Sequence, residues 1–155
     1  MDTTTDRGLS SDEYVLHTFD GSALNLFETS VRYWLHEQPT SLHPLATEDY
    51  MIEQIKRGLL FGLLITENSV EVGLALFSIR EYPKGMVFNV EFLSCKNFYK
   101  MATGWEALVN LAQQYGFSYI EAIAHPTIAT YAVEKKGFGA PNVHIIKSIH
   151  QGRIN

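Results

Sequence analysis

This chain has little of several things that usually narrow a function. Cys95 is the only cysteine among 155 residues, so no intrachain disulfide can form and a four-cysteine zinc site is excluded. Charged residues make up only 19% of the chain, and the formal net charge is −5 with an isoelectric point near 5.6. An acidic chain of this kind has no broad basic field for gripping nucleic acid or an anionic membrane. Long apolar runs are also missing. The longest, Leu59 to Ile65, is far too short to cross a bilayer, and Met1 to Asp6 has neither the basic start nor the apolar stretch of a signal peptide. These absences predict a soluble protein of a reducing compartment, cytoplasmic or carried on a particle.

What the chain does have is material for a core. Hydrophobic residues account for 46% and aromatics for 12%, enough for one domain of ordinary size. Residues 1 to 11 are small, polar and without period, and are expected to be a flexible leader; residues 12 to 155 are expected to form a single domain. Glu13 to Phe19 alternates as a strand does and ends at an Asp20-Gly21 turn. Leu24, Phe27, Val31, Trp34 and Leu35 then recur as one face of a helix that stops before Pro39, and a loop with two prolines follows to Leu45. Thr47 reads as the N-cap of a second helix, with Glu48 and Asp49 in its first turn and Lys56-Arg57-Gly58 at its close. Leu59 to Thr66 and Val70 to Ile79 read as strands joined by a tight turn at Glu67-Asn68-Ser69. Tyr82-Pro83-Lys84-Gly85 breaks the chain before another strand, Met86 to Cys95.

After a polar and aromatic loop, a helix is expected from about Met101, on the stripe Trp105, Leu108, Val109, Leu111, Ala112 and Tyr115, ending at Gly116. Phe117 to His125 reads as a strand, Ile128 to Lys136 as a helix capped by Gly137, and Val143 to Ile149 as a last strand. The order β-α-α-β-β-β-α-β-α-β predicts a mixed α/β fold with flanking helices. Its central run of hairpins argues against a fully parallel doubly wound sheet.

The stretch from Phe88 to Phe138 is the most informative. A strand leads through a loop into an amphipathic helix, so a strand C-terminus faces a helix N-terminus, where backbone N–H groups can hold an anion such as a pyrophosphate. A second strand and a short helix follow and close on Glu134-Lys135-Lys136-Gly137-Phe138. Over roughly residues 12 to 150 this order resembles the GNAT superfamily of acyl-CoA-dependent N-acetyltransferases. Members commonly carry a Gln/Arg-x-x-Gly-x-Gly/Ala loop before that helix, and later an Asn-x-x-Ala-x-x-x-Tyr-Glu-Lys-x-Gly-Phe pattern. Ala129, Glu134, Lys135, Gly137 and Phe138 match the second pattern, while Pro126 and Val133 stand where its asparagine and tyrosine would be. With Gly104 as the last glycine of the loop, Tyr99 takes the Gln/Arg position and Ala102 that of the first glycine, whose missing Cβ lets the backbone close on a pyrophosphate. The segment from Ile120 to Pro126 and the Gly137-Phe138 close also resemble the GNAT-like proteins of bacteriophages and prophages, some of which lie in virion modules.

The resemblance implies direct transfer of an acetyl group from acetyl-CoA to the amine of a small molecule or a protein. It further implies a cofactor held along Leu93, Ser94 and Cys95 and through Lys100, Met101, Ala102, Thr103 and Gly104. Such a transfer needs a base for the ammonium and often an acid for the departing thiolate. Glu91 is the candidate base, because a carboxylate set among apolar neighbours is tuned for work near neutrality. By strand alternation it shares a face with Asn89, Leu93 and Cys95, and it reads equally as a solvent-facing residue. Tyr131 is the hydroxyl nearest the vacant acid position, yet two residues along a helix is a rotation of about 200°, nearly the opposite side, which favours a packed aromatic over an acid. Tyr99 and Tyr119 are alternatives. Cys95 followed by His125 allows a Cys-His nucleophile beside the plainer reading of a small buried strand cysteine. Lys100 is better placed for a phosphate than Lys135 and Lys136. The histidines lack ligand spacing, so no metal site is expected. The rival function is a catalytically inactive, phage-borne or virion-associated protein on the same fold that binds other virion or host proteins. The missing Gln/Arg, glycine and tyrosine favour it.

Overall fold

A computed structural model describes residues 2–4, 14–37 and 46–122, all within one compact unit, Met1–Ala122. Two hairpins set the frame. Strand β3 (Phe61–Glu67) turns into β4 (Val70–Tyr82) through Asn68 and Ser69, whose φ angles of 51° and 70° are both positive, as a two-residue type I′ turn requires. β4 then turns through Pro83-Lys84 into β5 (Gly85–Cys95), with Tyr82 paired to Gly85. Strand β2 (Tyr14–Phe19) pairs antiparallel with β3, and β6 (Tyr119–Ala122) pairs parallel with β5. These five strands make one mixed sheet, extended at its edge by a short β1 (Asp2–Thr4) antiparallel to β2. The expected leader therefore contains a strand. Three residues with no hydrophobic pattern leave no signal in the sequence, because strand pairing is made through backbone groups that every residue type carries.

Helix α1 (Leu24–Glu37) follows a 3₁₀ turn at Gly21–Ala23, whose N-cap Asp20 accepts the Ser22 N–H and hydroxyl. Those two bonds hold the Asp20 carboxyl below its usual pKa. Helix α2 (Glu48–Lys56) begins as expected: the Thr47 hydroxyl accepts the Tyr50 N–H at 3.1 Å, and Gly58 follows its close at φ 76°. α1 and α2 cover one face of the sheet, where Val31, Trp34, Leu35 and Ile55 meet Leu64, Leu74, Leu76 and Phe92. Arg32 ties the two helices together by binding Glu28, Glu48 and Asp49.

Helix α3 (Phe98–Gln114) lies on the other face. It starts about a turn earlier than predicted, because Asn97 caps it by accepting the Lys100 N–H at 3.0 Å. Phe117, expected to open the following strand, instead sets its ring edge-on to Phe88 at 5.8 Å, and β6 begins two residues later. Among the described residues no helix is long and apolar enough to cross a membrane. The helix predicted over 128–136 and the strand over 143–149 lie outside the described residues.

Candidate active site

The feature that organises the site is an irregularity in β5. Leu76 pairs with Phe92, but Phe77 pairs with Val90, so Glu91 is an extra residue with no partner on β4. Such a bulge breaks the alternation of faces and re-aims the side chains beyond it. Before the bulge, Phe88 stacks on Phe77 at 4.3 Å and meets Phe117, on the α3 side. Beyond it, Phe92 enters the α1/α2 core, and Leu93 and Cys95 turn to Gly104 of α3. The predicted common face of Glu91, Asn89, Leu93 and Cys95 therefore holds for Asn89 alone.

The Glu91 carboxylate is held where the bulge puts it. Asn89 Nδ2 donates to Oε2 at 2.6 Å and Ser78 Oγ donates to the same oxygen at 2.7 Å, while Asn89 Nδ2 also donates to Ser78 Oγ at 3.2 Å. Asn89 is buried, 6% exposed. Glu91 itself is exposed, so the apolar surroundings that the sequence suggested for it are not there. Glu121 of β6 pairs in register with Asn89 and sits 3.7 Å from Arg80. The described parallel pairing of β5 and β6 runs from Val87 and Tyr119 to Val90 and Ala122, and so reaches the residue before the bulge. Ser78, Asn89 and Glu121 belong to no motif that would mark them as site residues. Their one signal is polarity inside otherwise apolar strands.

The segment read as a phosphate-binding loop is helix. Lys100 to Gly104 lie in the first two turns of α3, because the helix starts at Phe98. Lys100 is already engaged: its Nζ lies 2.5 Å from Glu67 Oε1 and 3.0 Å from the Tyr14 hydroxyl, and 5.4 Å from the Tyr14 ring centre. Those contacts, Glu67 first, hold its pKa above the usual lysine value. Gly104 serves packing. A Cβ there would lie 3.2 Å from Cys95 Sγ and 3.4 Å from Leu93 Cδ1, so the missing side chain lets α3 approach the sheet. Met101, Ala102 and the half-buried Thr103 continue the helix. The cation at the strand-helix junction is Lys96, which the sequence reading passed over. Its backbone N–H donates to the Val72 carbonyl at 2.9 Å, and its side chain is exposed.

Leu93, Ser94 and Cys95 are buried, so what they offer a cofactor is backbone. The Ser94 hydroxyl is enclosed and has no hydrogen-bond partner among the described residues. Burial pushes the Cys95 thiol up to about 12, which keeps it neutral at physiological pH and removes its use as a nucleophile. Tyr119 is exposed. Tyr131, His125, Lys135 and Lys136 lie outside the described residues. Among the described residues no three His, Cys, Asp or Glu side chains converge as metal ligands.

No protein-family model matches the sequence, and no curated protein resembles it in sequence. Solved structures do resemble it. A predicted acetyltransferase from Clostridium acetobutylicum, solved with acetyl-CoA, superposes with a TM-score of 0.59 at 16% identity, over 87% of this chain and 96% of that one. An aminoglycoside acetyltransferase from an uncultured soil metagenomic sample, in complex with sisomicin, gives 0.61 at 10% identity over 88% and 97%. A ribosomal-protein-alanine N-acetyltransferase from Brucella melitensis gives 0.57 at 12% identity over 90% and 99%. At such identities the likeness is one of architecture, and the chain has the mixed α/β fold of the GNAT acetyltransferases.

Proposed function

We propose that the chain is an acyl-CoA-dependent N-acetyltransferase that passes an acetyl group directly to an amine. The observation that carries this reading is the run of bulge, strand end and capped helix from Glu91 to Lys100. It lies at the carboxyl end of a parallel strand pair, where open α/β sheets collect ligands. The backbone of Leu93, Ser94 and Cys95 would run beside the acyl-pantetheine arm. The N–H groups of the first turn of α3 other than that of Lys100, which Asn97 takes, would face the pyrophosphate, with Lys96 as the cation. Lys100 would act indirectly, tying that first turn to β2 and β3, while Met101, Ala102, Thr103 and Gly104 seat the helix. The similar structure solved with acetyl-CoA supports this choice of cofactor.

In this reading the acceptor ammonium gives a proton to Oε1 of Glu91, and the freed nitrogen lone pair attacks the thioester carbonyl carbon. The C–N bond forms, the tetrahedral intermediate collapses, and the C–S bond breaks. The thiolate takes a proton from a general acid, a role for which the sequence alone nominates Tyr131, and the remaining proton passes to water. The acceptor class is left to experiment, since the similar acetyltransferases are named for acceptors as different as an aminoglycoside and a protein alanine.

Titration calorimetry with acetyl-CoA tests the proposal; the expected result is saturable heat, and its absence at millimolar cofactor would overturn it. One observation favours the non-catalytic rival, in phage, virion or host: Glu67 already neutralises Lys100. A stable complex with another protein, together with no heat from acetyl-CoA, would establish that rival.

A further inference from the structure

We infer that Ser78 and Asn89 are positioning residues that fix the Glu91 carboxylate for proton transfer, an inference that rests on the acetyl-transfer reading above. An exposed glutamate ordinarily samples many rotamers, and catalytic groups gain from being held in one. Strand alternation sets Glu91 on the face of Asn89, two residues back, and the bulge leaves it with no partner on β4. Both hydrogen bonds then fall on a single oxygen, Oε2, from an amide and a hydroxyl that also bond each other across β4 and β5. A carboxylate accepts at either oxygen. Saturating Oε2 leaves Oε1 as the oxygen that takes a proton.

The strand keeps a polar residue where packing alone would not choose one. Asn89 is buried between Phe88 and Val90, both also buried, and a buried amide is costly unless bonded. Its donors go to the carboxylate and to the hydroxyl that braces that carboxylate. Ser78 and Asn89 touch no reacting atom in this scheme; they act through Glu91.

The test is a double-mutant cycle read on turnover. Thiol release from acetyl-CoA is followed with three acceptor probes, spermidine, sisomicin and a peptide beginning with alanine, while calorimetry gives the acetyl-CoA affinity. Ser78→Ala is expected to lower kcat by about tenfold with the acetyl-CoA Kd and Tm unchanged. Ser78→Thr, which keeps the hydroxyl, is expected to restore it. In the Glu91→Gln background Ser78→Ala is expected to cost nothing further, because its effect passes through the base. Asn89→Ala follows the same pattern where it folds. An equal loss from Ser78→Ala in both backgrounds, or no loss in either, overturns the inference. If Glu91→Gln leaves turnover intact, the base role falls and this inference with it, while acetyl transfer stands. If no probe releases thiol, both fall.

Discussion

Burial makes Cys95 behave as a small apolar side chain whose sulfur happens to be titratable. In an unfolded chain a cysteine ionises near about 8.5, whereas here it does so at about 12. The unfolded state therefore gains the thiolate first. Its contribution to stability is present in full below about pH 8.5 and is lost as the pH rises toward the folded value. Urea denaturation should show roughly 1 kcal/mol less stability at pH 9.5 than at pH 7.5 from this source, a difference that Cys95→Ala removes. The same burial predicts that a disulfide reagent at pH 8 labels the native protein slowly and the urea-unfolded protein at once. Gly62 presents the opposite constraint. A Cβ there would lie 2.0 Å from the Phe19 ring, which is stacked on Phe27 at 4.4 Å and has no easy retreat. Gly62→Ala should cost about 1–3 kcal/mol, measured by urea midpoint, with the far-UV spectrum unchanged.

The start of α3 decides whether an anion is welcome at that end of the sheet. Asn97→Ala removes a capping acceptor and should cost about 1 kcal/mol. Asn97→Asp keeps the cap and suits the helix dipole, yet places a negative charge where the pyrophosphate is proposed. Thermal melting should show its stability retained, and calorimetry should show acetyl-CoA affinity down by about tenfold. Sequence patterns disclosed the elements that announce themselves locally. α1 carries a clean apolar stripe, α2 opens on Thr47 and closes before Gly58, and Asn68-Ser69 sits between two apolar runs. They did not disclose α3's true start, because Phe98-Tyr99-Lys100-Met101 has no period and its one marker, Asn97, also marks turns. Nor did they disclose Lys100's partners, since Tyr14 lies 86 positions away in sequence and only folding brings it near. The bulge was hidden for a related reason. Alternation is counted along one strand, while a bulge is defined by two.

Across the whole molecule, the proposed cofactor would link the sheet to α3, and ligand binding to the folded state alone raises stability by mass action. At a hundred times its Kd, acetyl-CoA should add about 2.7 kcal/mol, which for a chain of this size is a rise in Tm of roughly 5–10 °C, readable by thermal melting. The helices on the two faces also depend on the count of residues in β5. Glu91 is the odd residue that puts Phe88 and Val90 in phase with one layer and Phe92 and Ser94 in phase with the other. Glu91→Ala keeps the count but removes the acceptor of the Asn89 and Ser78 hydrogen bonds, and should cost about 1 kcal/mol, read by urea midpoint. Its place in the count has no substitute. Deleting it would shift one half of the strand by a residue and exchange the inward and outward sets of that half, so the fold should survive a change of side chain at this position far better than a gap.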